Sequence, residues 1–204
     1  MSLEEFTNES LIKADAEAIE LYNRKVPEKF KLHTELGPSP FEGDIRAASV
    51  VLLLANPGFD ETSTLHDHTF RRDGWPLAGL HHEAPLGLRE WWPKRLKALT
   101  EKFGVQHVSR QVAALQLTPW ASSKFDTSLR LPSRTRLLKL AAKVAQRGAV
   151  LLVMRAERHW ENSELVKHSL NRYRANSWLC SYVTQGNLPA AAWEKVNTAL
   201  ERAQ

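Results

Sequence analysis

The sequence predicts an α/β protein, a three-layer α/β/α sandwich whose central, mainly parallel sheet has about four strands. Two runs, Val50-Val51-Leu52-Leu53-Leu54 and Ala149-Val150-Leu151-Leu152-Val153-Met154, are continuously apolar. Strands of that kind are buried on both faces, as parallel strands covered by helices are. Segments of helical periodicity alternate with these runs, the order that right-handed crossovers require.

Residues 9–24 carry Leu11, Ala14, Ala18, Leu21 and Tyr22 at helical spacing. Pro27 and the Gly37-Pro38-Ser39-Pro40 cluster end that helix in a loop. The run 49–55 is the first strand. Residues 56–88 predict a long segment with four histidines, of the length at which loops are usually functional or partly disordered. A second helix spans 88–103 and is ended by Gly104, and a second strand runs from Val108 to Leu117, stopped by Pro119. The third helix, 133–147, puts Leu137, Leu140, Ala141 and Val144 on one face, with Gly148 just beyond it. A third strand over 149–154, a short helix over 161–171, a fourth strand from Ser177 to Val183 and a last helix over 190–203 complete the chain. The crossovers bring the strand exits at 55–59, 117–121, 155–159 and 183–187 to one edge of the sheet. That edge is where open α/β sheets bind their ligands.

The length of 204 residues fits a single domain, 1–204. Lys and Arg number 28 against 23 Asp and Glu, a net charge of +5, and most of the basic residues fall within 89–174. Such a balance permits binding to a nucleic-acid backbone. No apolar run approaches the roughly 18 residues of a membrane span, and Met1–Phe6 carries acid where a secretory signal carries base. The single cysteine, Cys180, cannot close an internal disulfide. The expectation is a cytoplasmic protein with no membrane association and no obligate protein partner.

Candidate chemistry gathers at the strand exits. Asn56, in Ala55-Asn56-Pro57-Gly58, can orient a water or hold a substrate amide, or simply shape a turn with Pro at its second position. Gln116 can present a donor–acceptor pair to a base edge, or be satisfied by backbone. Trp75, between Gly74 and Pro76, can stack on a base. His66, His68, His81 and His82 match no recognised ligand spacing, so no metal is expected, and Glu164 with His168 reads as a surface pair one helical turn apart. There is no nucleophile elbow and no phosphate-cradling glycine loop, and Cys180 lies in an apolar stretch.

Taken in order, these pieces resemble the uracil-DNA glycosylase superfamily. Leu53-Leu54-Ala55-Asn56-Pro57-Gly58 resembles its Gly-x-Asn-Pro-Gly first motif. Asp73-Gly74-Trp75-Pro76-Leu77-Ala78-Gly79-Leu80 resembles the segment that follows it, where the family keeps an aromatic residue for the base. Gln116-Leu117-Thr118-Pro119-Trp120 resembles the strand exit where single-strand-selective members have Asn-x-x-Pro-Leu. Residues 148–155 and 176–200 resemble the last strands, second motif and C-terminal helix.

The resemblance implies a glycosylase that flips a damaged or deaminated base out of single- or double-stranded DNA and hydrolyses its N-glycosidic bond. Asn56 would position the water, and no metal or organic cofactor would be needed. Phe59 or Trp75 would stack on the base and Gln116 would read its edge. Arg155, Arg158, Arg172 and Arg174 would hold backbone phosphates. The second motif's His-Pro-Ser-Pro pattern falls either on Ala175-Asn176-Ser177-Trp178 or on Thr184-Gln185-Gly186-Asn187, and neither has a His. With a strand over 177–183 the second register is preferred, making Gln185 and Asn187 the base-contacting residues. The absent His favours the alternative, a DNA- or nucleotide-binding protein on the same fold that cleaves nothing. A small-molecule hydrolase or an interaction protein on the same scaffold is a third possibility, since fold does not fix function.

Overall fold

A computed structural model describes residues 7–60, 62, 64–177 and 179–203. The chain folds as the predicted α/β sandwich, with a five-stranded, mainly parallel sheet between two layers of helices. In chain order the elements are α1 (Asn8–Asn23), β1 (Phe41–Glu42), β2 (Val50–Leu54), α2 (Leu65–Thr69), α3 (Leu86–Phe103) and α4 (Val105–Gln111). There follow β3 (Val112–Gln116), α5 (Ser133–Gln146), β4 (Val150–Val153), α6 (Glu157–Trp160), α7 (Glu164–Lys167), β5 (Arg172–Arg174) and α8 (Ala190–Glu201). None of the described helices is long and apolar enough to cross a membrane.

Strand order is β1-β3-β2-β4-β5. The four strands β3, β2, β4 and β5 run parallel, and β1 lies antiparallel on the outer edge of β3. Leu54 pairs with Gln116 and Leu53 with Val153. The chain therefore leaves β2, β3 and β4 at one edge, as the crossover argument requires.

Strict alternation splits the apolar runs between two cores. Val50, Leu52, Leu54, Val112, Ala114, Val150 and Leu152 face α3, α4 and α8. Val51, Leu53, Ala113, Leu115, Leu151 and Val153 face α1 and α5. Nearly all are fully buried, and each Val or Leu contributes roughly 1.5–3 kcal/mol relative to exposure. A smaller cluster of Ile19, Leu32, Trp120, Leu129 and Leu131 seals the loops beside the strand exits. Within it Asp15, fully buried on α1, accepts from Trp120 Nε1 at 2.8 Å and from the Ser133 amide at 2.9 Å. One carboxylate thus joins α1, the start of α5 and the loop after β3.

Four expectations are corrected. Residues 105–111 are helical, and the second strand begins only at Val112, because Val108 packs as a helical residue against the α3 face. The stretch 161–171 is not one helix; the short α6 and α7 precede and occupy its first half. The long segment 56–88 contains α2 and a 3-10 turn at Ala78–Leu80. The fourth parallel strand is Arg172-Tyr173-Arg174, not 177–183. Its polar character is that of an edge strand, where only Tyr173 packs against the core. The described apolar residues of 177–183 do not share a buried face: Leu179 and Tyr182 are exposed and Val183 is buried. The last strand's exit is therefore Ala175-Asn176-Ser177, which is the first of the two registers; Trp178 lies outside the described residues.

Candidate functional site

A cavity of about 620 Å³ opens at the edge where β2, β3 and β4 end. Asn56, Phe59, Gln116 and Arg155 line it. So do Glu42 of β1, Trp91, Trp92 and Arg95 of α3, Ser122 to Phe125, and Leu179 to Tyr182. The volume suits a nucleotide-sized ligand.

Asn56 is held by its own turn. Its Nδ2 donates to the Pro57 carbonyl at 2.8 Å and to Ser122 Oγ at 2.9 Å. Both amide protons are engaged by protein, so the group Asn56 can offer a ligand or water is Oδ1, an acceptor. Ser122 is fixed in turn: its amide donates to the Pro57 carbonyl at 3.3 Å and its hydroxyl to the Lys124 carbonyl at 3.1 Å. The turns after β2 and β3 thereby lock each other.

Gln116 closes β3. Its amide donates to the Pro40 carbonyl at 2.9 Å, so its backbone is satisfied. Its side chain is only 4% exposed, and Oε1 has no partner among the described residues. A buried carbonyl left so costs about 1–3 kcal/mol, which a ligand donor in the cavity would recover. Phe59 is backed by His33, with ring centroids 3.4 Å apart and planes 9° from parallel. Phe59 lines the cavity, whereas His33 is not among the residues that do.

Glu42 is the group that sequence reasoning missed. It is opposite Ala114 in the β1–β3 pair, hence on the same sheet face as Ala114 and Gln116. Trp92 Nε1 donates to Oε2 at 2.6 Å. Loss of solvent pushes the carboxyl up to about 7, against opposing pulls from the Trp92 indole and the Arg71 charge. Gly43 explains how β1 reaches this place: a Cβ there would stand 2.7 Å from the Val112 carbonyl oxygen, and its φ of 86° suits glycine alone. The only signal in the sequence is an acid between an aromatic and that glycine, too slight to single out.

Among cations, Arg155, Lys124 and Arg95 reach the wall. Arg155 donates to the Leu179 carbonyl at 2.7 Å, which ties the β4 exit to the loop after β5. Next to it Ala156 has φ of 56°, the one described non-glycine residue in the left-handed region. Backbone strain of this kind gathers at functional sites. Arg95 stacks on Trp91 and Tyr182 at 4.7 and 5.3 Å.

The remaining expected site residues lie elsewhere. Trp75 is half-buried against the α3 core, edge-on to His81 at 5.0 Å, and is not in the wall. Gln185 is exposed outside the cavity. Asn187 is buried and spent on the backbone, accepting from the Ser177 amide at 3.0 Å and donating to the Tyr182 carbonyl at 2.8 Å. It shapes the loop that lines the cavity without entering it. Arg172 is paired with Glu157 and Glu161 at 2.8 and 2.7 Å, and Arg174 with Glu157 at 3.2 Å. Arg158 is exposed on α6, outside the wall. His81, His82 and Glu83 bring ligand atoms within 4.8 Å of one another. Glu83, however, is already paired with Arg72 at 3.1 Å, and its amide donates to His81 Nδ1 at 3.2 Å.

No protein-family model, curated protein or solved structure matches this chain. The class that the fold and the cavity define is an α/β protein with a polar, aromatic-walled pocket at its strand exits.

Proposed function

We propose that the cavity binds a nucleobase turned out of a DNA strand and that the protein hydrolyses its N-glycosidic bond. The observation that carries this reading is the unpartnered, buried Gln116 Oε1 in one cavity with Asn56, whose amide protons are already taken. An orphaned amide beside an aromatic wall suits a planar, hydrogen-bonding ligand such as a base. Phe59 supplies the stacking surface. Asn56 Oδ1 accepts from a water and aims it at the sugar carbon.

As the C1′–N bond breaks, its electron pair goes to the base and the water oxygen bonds to C1′. The water's proton then neutralises the base. Donors around the cavity stabilise the charge that builds on the departing base. Arg155 and Lys124 at the rim suit backbone phosphates.

A second reading is favoured by one observation: residues 175–188, after the last strand, contain no His to assist the leaving base. On that reading the protein binds DNA and cleaves nothing. Oligonucleotides carrying uracil, hypoxanthine, xanthine or a mismatch separate the two. Release of free base supports the hydrolase. Retardation with a steep salt dependence but intact substrate supports the binder. Neither release nor retardation ends both.

A further inference from the structure

Arg134, in the first turn of α5, is a buried cation that makes no ion pair among the described residues. It is 5% exposed, and its Nε, Nη1 and Nη2 all lack a hydrogen-bond partner there. A guanidinium is all donor, and folded proteins leave few such groups unmet. A buried charge without its partner is strongly destabilising. Burial, then the Arg130 charge, pull its pKa down to about 10, so it stays cationic at neutral pH. The acids nearby are spent elsewhere. Asp15, the buried carboxylate at the start of α5, accepts from Trp120 Nε1 and the Ser133 amide. Asp126 accepts from Tyr22 and Ser128, and Glu157 of α6 is paired with Arg172 and Arg174.

The same junction carries further unmet polar groups. Ser133 Oγ, one residue before Arg134, is fully buried without a partner, and so is Trp160 Nε1 of α6. Next to Trp160, loss of solvent and then the charges of Arg134 and Arg130 hold the His159 imidazole below its ordinary range, which brings these three side chains together. We propose that Arg134, with Arg130 and His159, forms a site for a small free oxyanion of the phosphate type where α5 meets α6. Such an anion supplies the acceptors that the junction lacks, and a guanidinium holds it through paired hydrogen bonds. The site is separate from the cavity at the strand exits. Phe125 lines that cavity and meets the His159 ring edge-on at 6.1 Å, but Arg130, Arg134 and His159 are not in its wall. Arg130 is exposed, with Nη1 held by the Thr127 and Leu129 carbonyls at 2.7 and 2.9 Å, so Nη2 is left to face the anion. Because Arg134 is out of reach of solvent, the anion enters as Arg130 and the half-buried His159 give way. A phosphate tied into a polymer backbone is too constrained to follow.

The test is calorimetric titration of the whole protein with inorganic phosphate near neutral pH and at fixed ionic strength, with thermal melts alongside. Wild type should bind one phosphate and melt at a higher temperature in its presence. Arg134→Met should bind about 30-fold more weakly or worse and lose the phosphate-dependent rise. In phosphate-free buffer it should melt no lower than wild type, because it removes an unpaired charge and not a contact. Arg130→Gln, an exposed change, should weaken binding by about 2–5-fold. No phosphate binding by wild type, or equal binding by Arg134→Met, overturns the proposal. A lower phosphate-free melt for Arg134→Met also overturns it, by showing that protein or water already satisfies the guanidinium. Loss of binding in Arg155→Gln would place the anion at the cavity rim instead. Displacement of the phosphate by a single-stranded oligonucleotide would assign Arg134 to a DNA backbone and overturn the free-anion site.

Discussion

Ser122 Oγ accepts a hydrogen bond from Asn56 Nδ2 at 2.9 Å, joining the turn after β2 to the turn after β3 across 66 positions of chain. The contact fixes which end of the Asn56 amide can serve a ligand. Ser122→Ala removes it while leaving the Asn56 side chain in place. Loss of one such bond costs about 0.5–1.5 kcal/mol of stability. On the hydrolase reading it also lowers base release by about 10–100-fold through misorientation of the water acceptor. Denaturant melts and single-turnover release, measured on the same preparation, check both parts.

Glu42 ties stability to pH. Its folded carboxyl titrates near 7, above the 4.5 of an ordinary glutamate, so between these values the folded state holds more protons than the unfolded one. Stability from this group is complete below about pH 4.5 and is lost as pH rises through 7. The loss is about 2 kcal/mol, after allowance for the carboxyl's access to the cavity. Urea melts from pH 5 to 8 should show that decline in wild type, and Glu42→Gln should remove it.

Gly79 packs against the indole that holds Glu42. A Cβ at this position would overlap Trp92 Cδ1, a fully buried ring with no room to retreat. Gly79→Ala should therefore cost about 1–3 kcal/mol and loosen the Trp92 contact with Glu42. The expected signature is a lower melting temperature together with a shifted Trp fluorescence maximum. An unchanged melt would show that the ring is not confined as described.

Asp15 is remote from the cavity yet holds the loop that shapes it. Asp15→Ala strands two buried donors, Trp120 Nε1 and the Ser133 amide, at a cost of roughly 2–4 kcal/mol. Thermal unfolding checks the figure. Asp15→Asn, which keeps one acceptor oxygen, should recover part of it.

How much of this was legible follows from where each signal resides. β2 and β4 can be read because burial on both faces forces apolar residues at every position, whereas only the end of β3 can be read, its start being indistinguishable from the helical 105–111 before it. β1 is two residues long, and its pairing with β3 depends on a register that no local pattern carries. That register is also what brings Glu42 beside Gln116, so the carboxyl stayed hidden with its strand. β5 shows the opposite case: an edge strand with one packed residue reads as polar loop, while the apolar 177–183 beside it reads as strand. The expectation that Gln185 and Asn187 contact a base depends on that displaced strand. Asn56, Phe59 and Gln116 sit at strand ends that the apolar runs do mark, and all three line the cavity. Trp75 reads as a loop aromatic between Gly74 and Pro76, but its side chain turns inward to the α3 core.

The central claim is that Asn56 and Gln116 form a base pocket that works on DNA. Single-turnover release of free base from oligonucleotides bearing one uracil or hypoxanthine tests it most directly, comparing wild type with Asn56→Ala and Gln116→Leu. The account predicts release by wild type, a loss of about 100-fold or more in Asn56→Ala, and weakened discrimination between bases in Gln116→Leu. No release from any substrate, or release unaffected by Asn56→Ala, would contradict it.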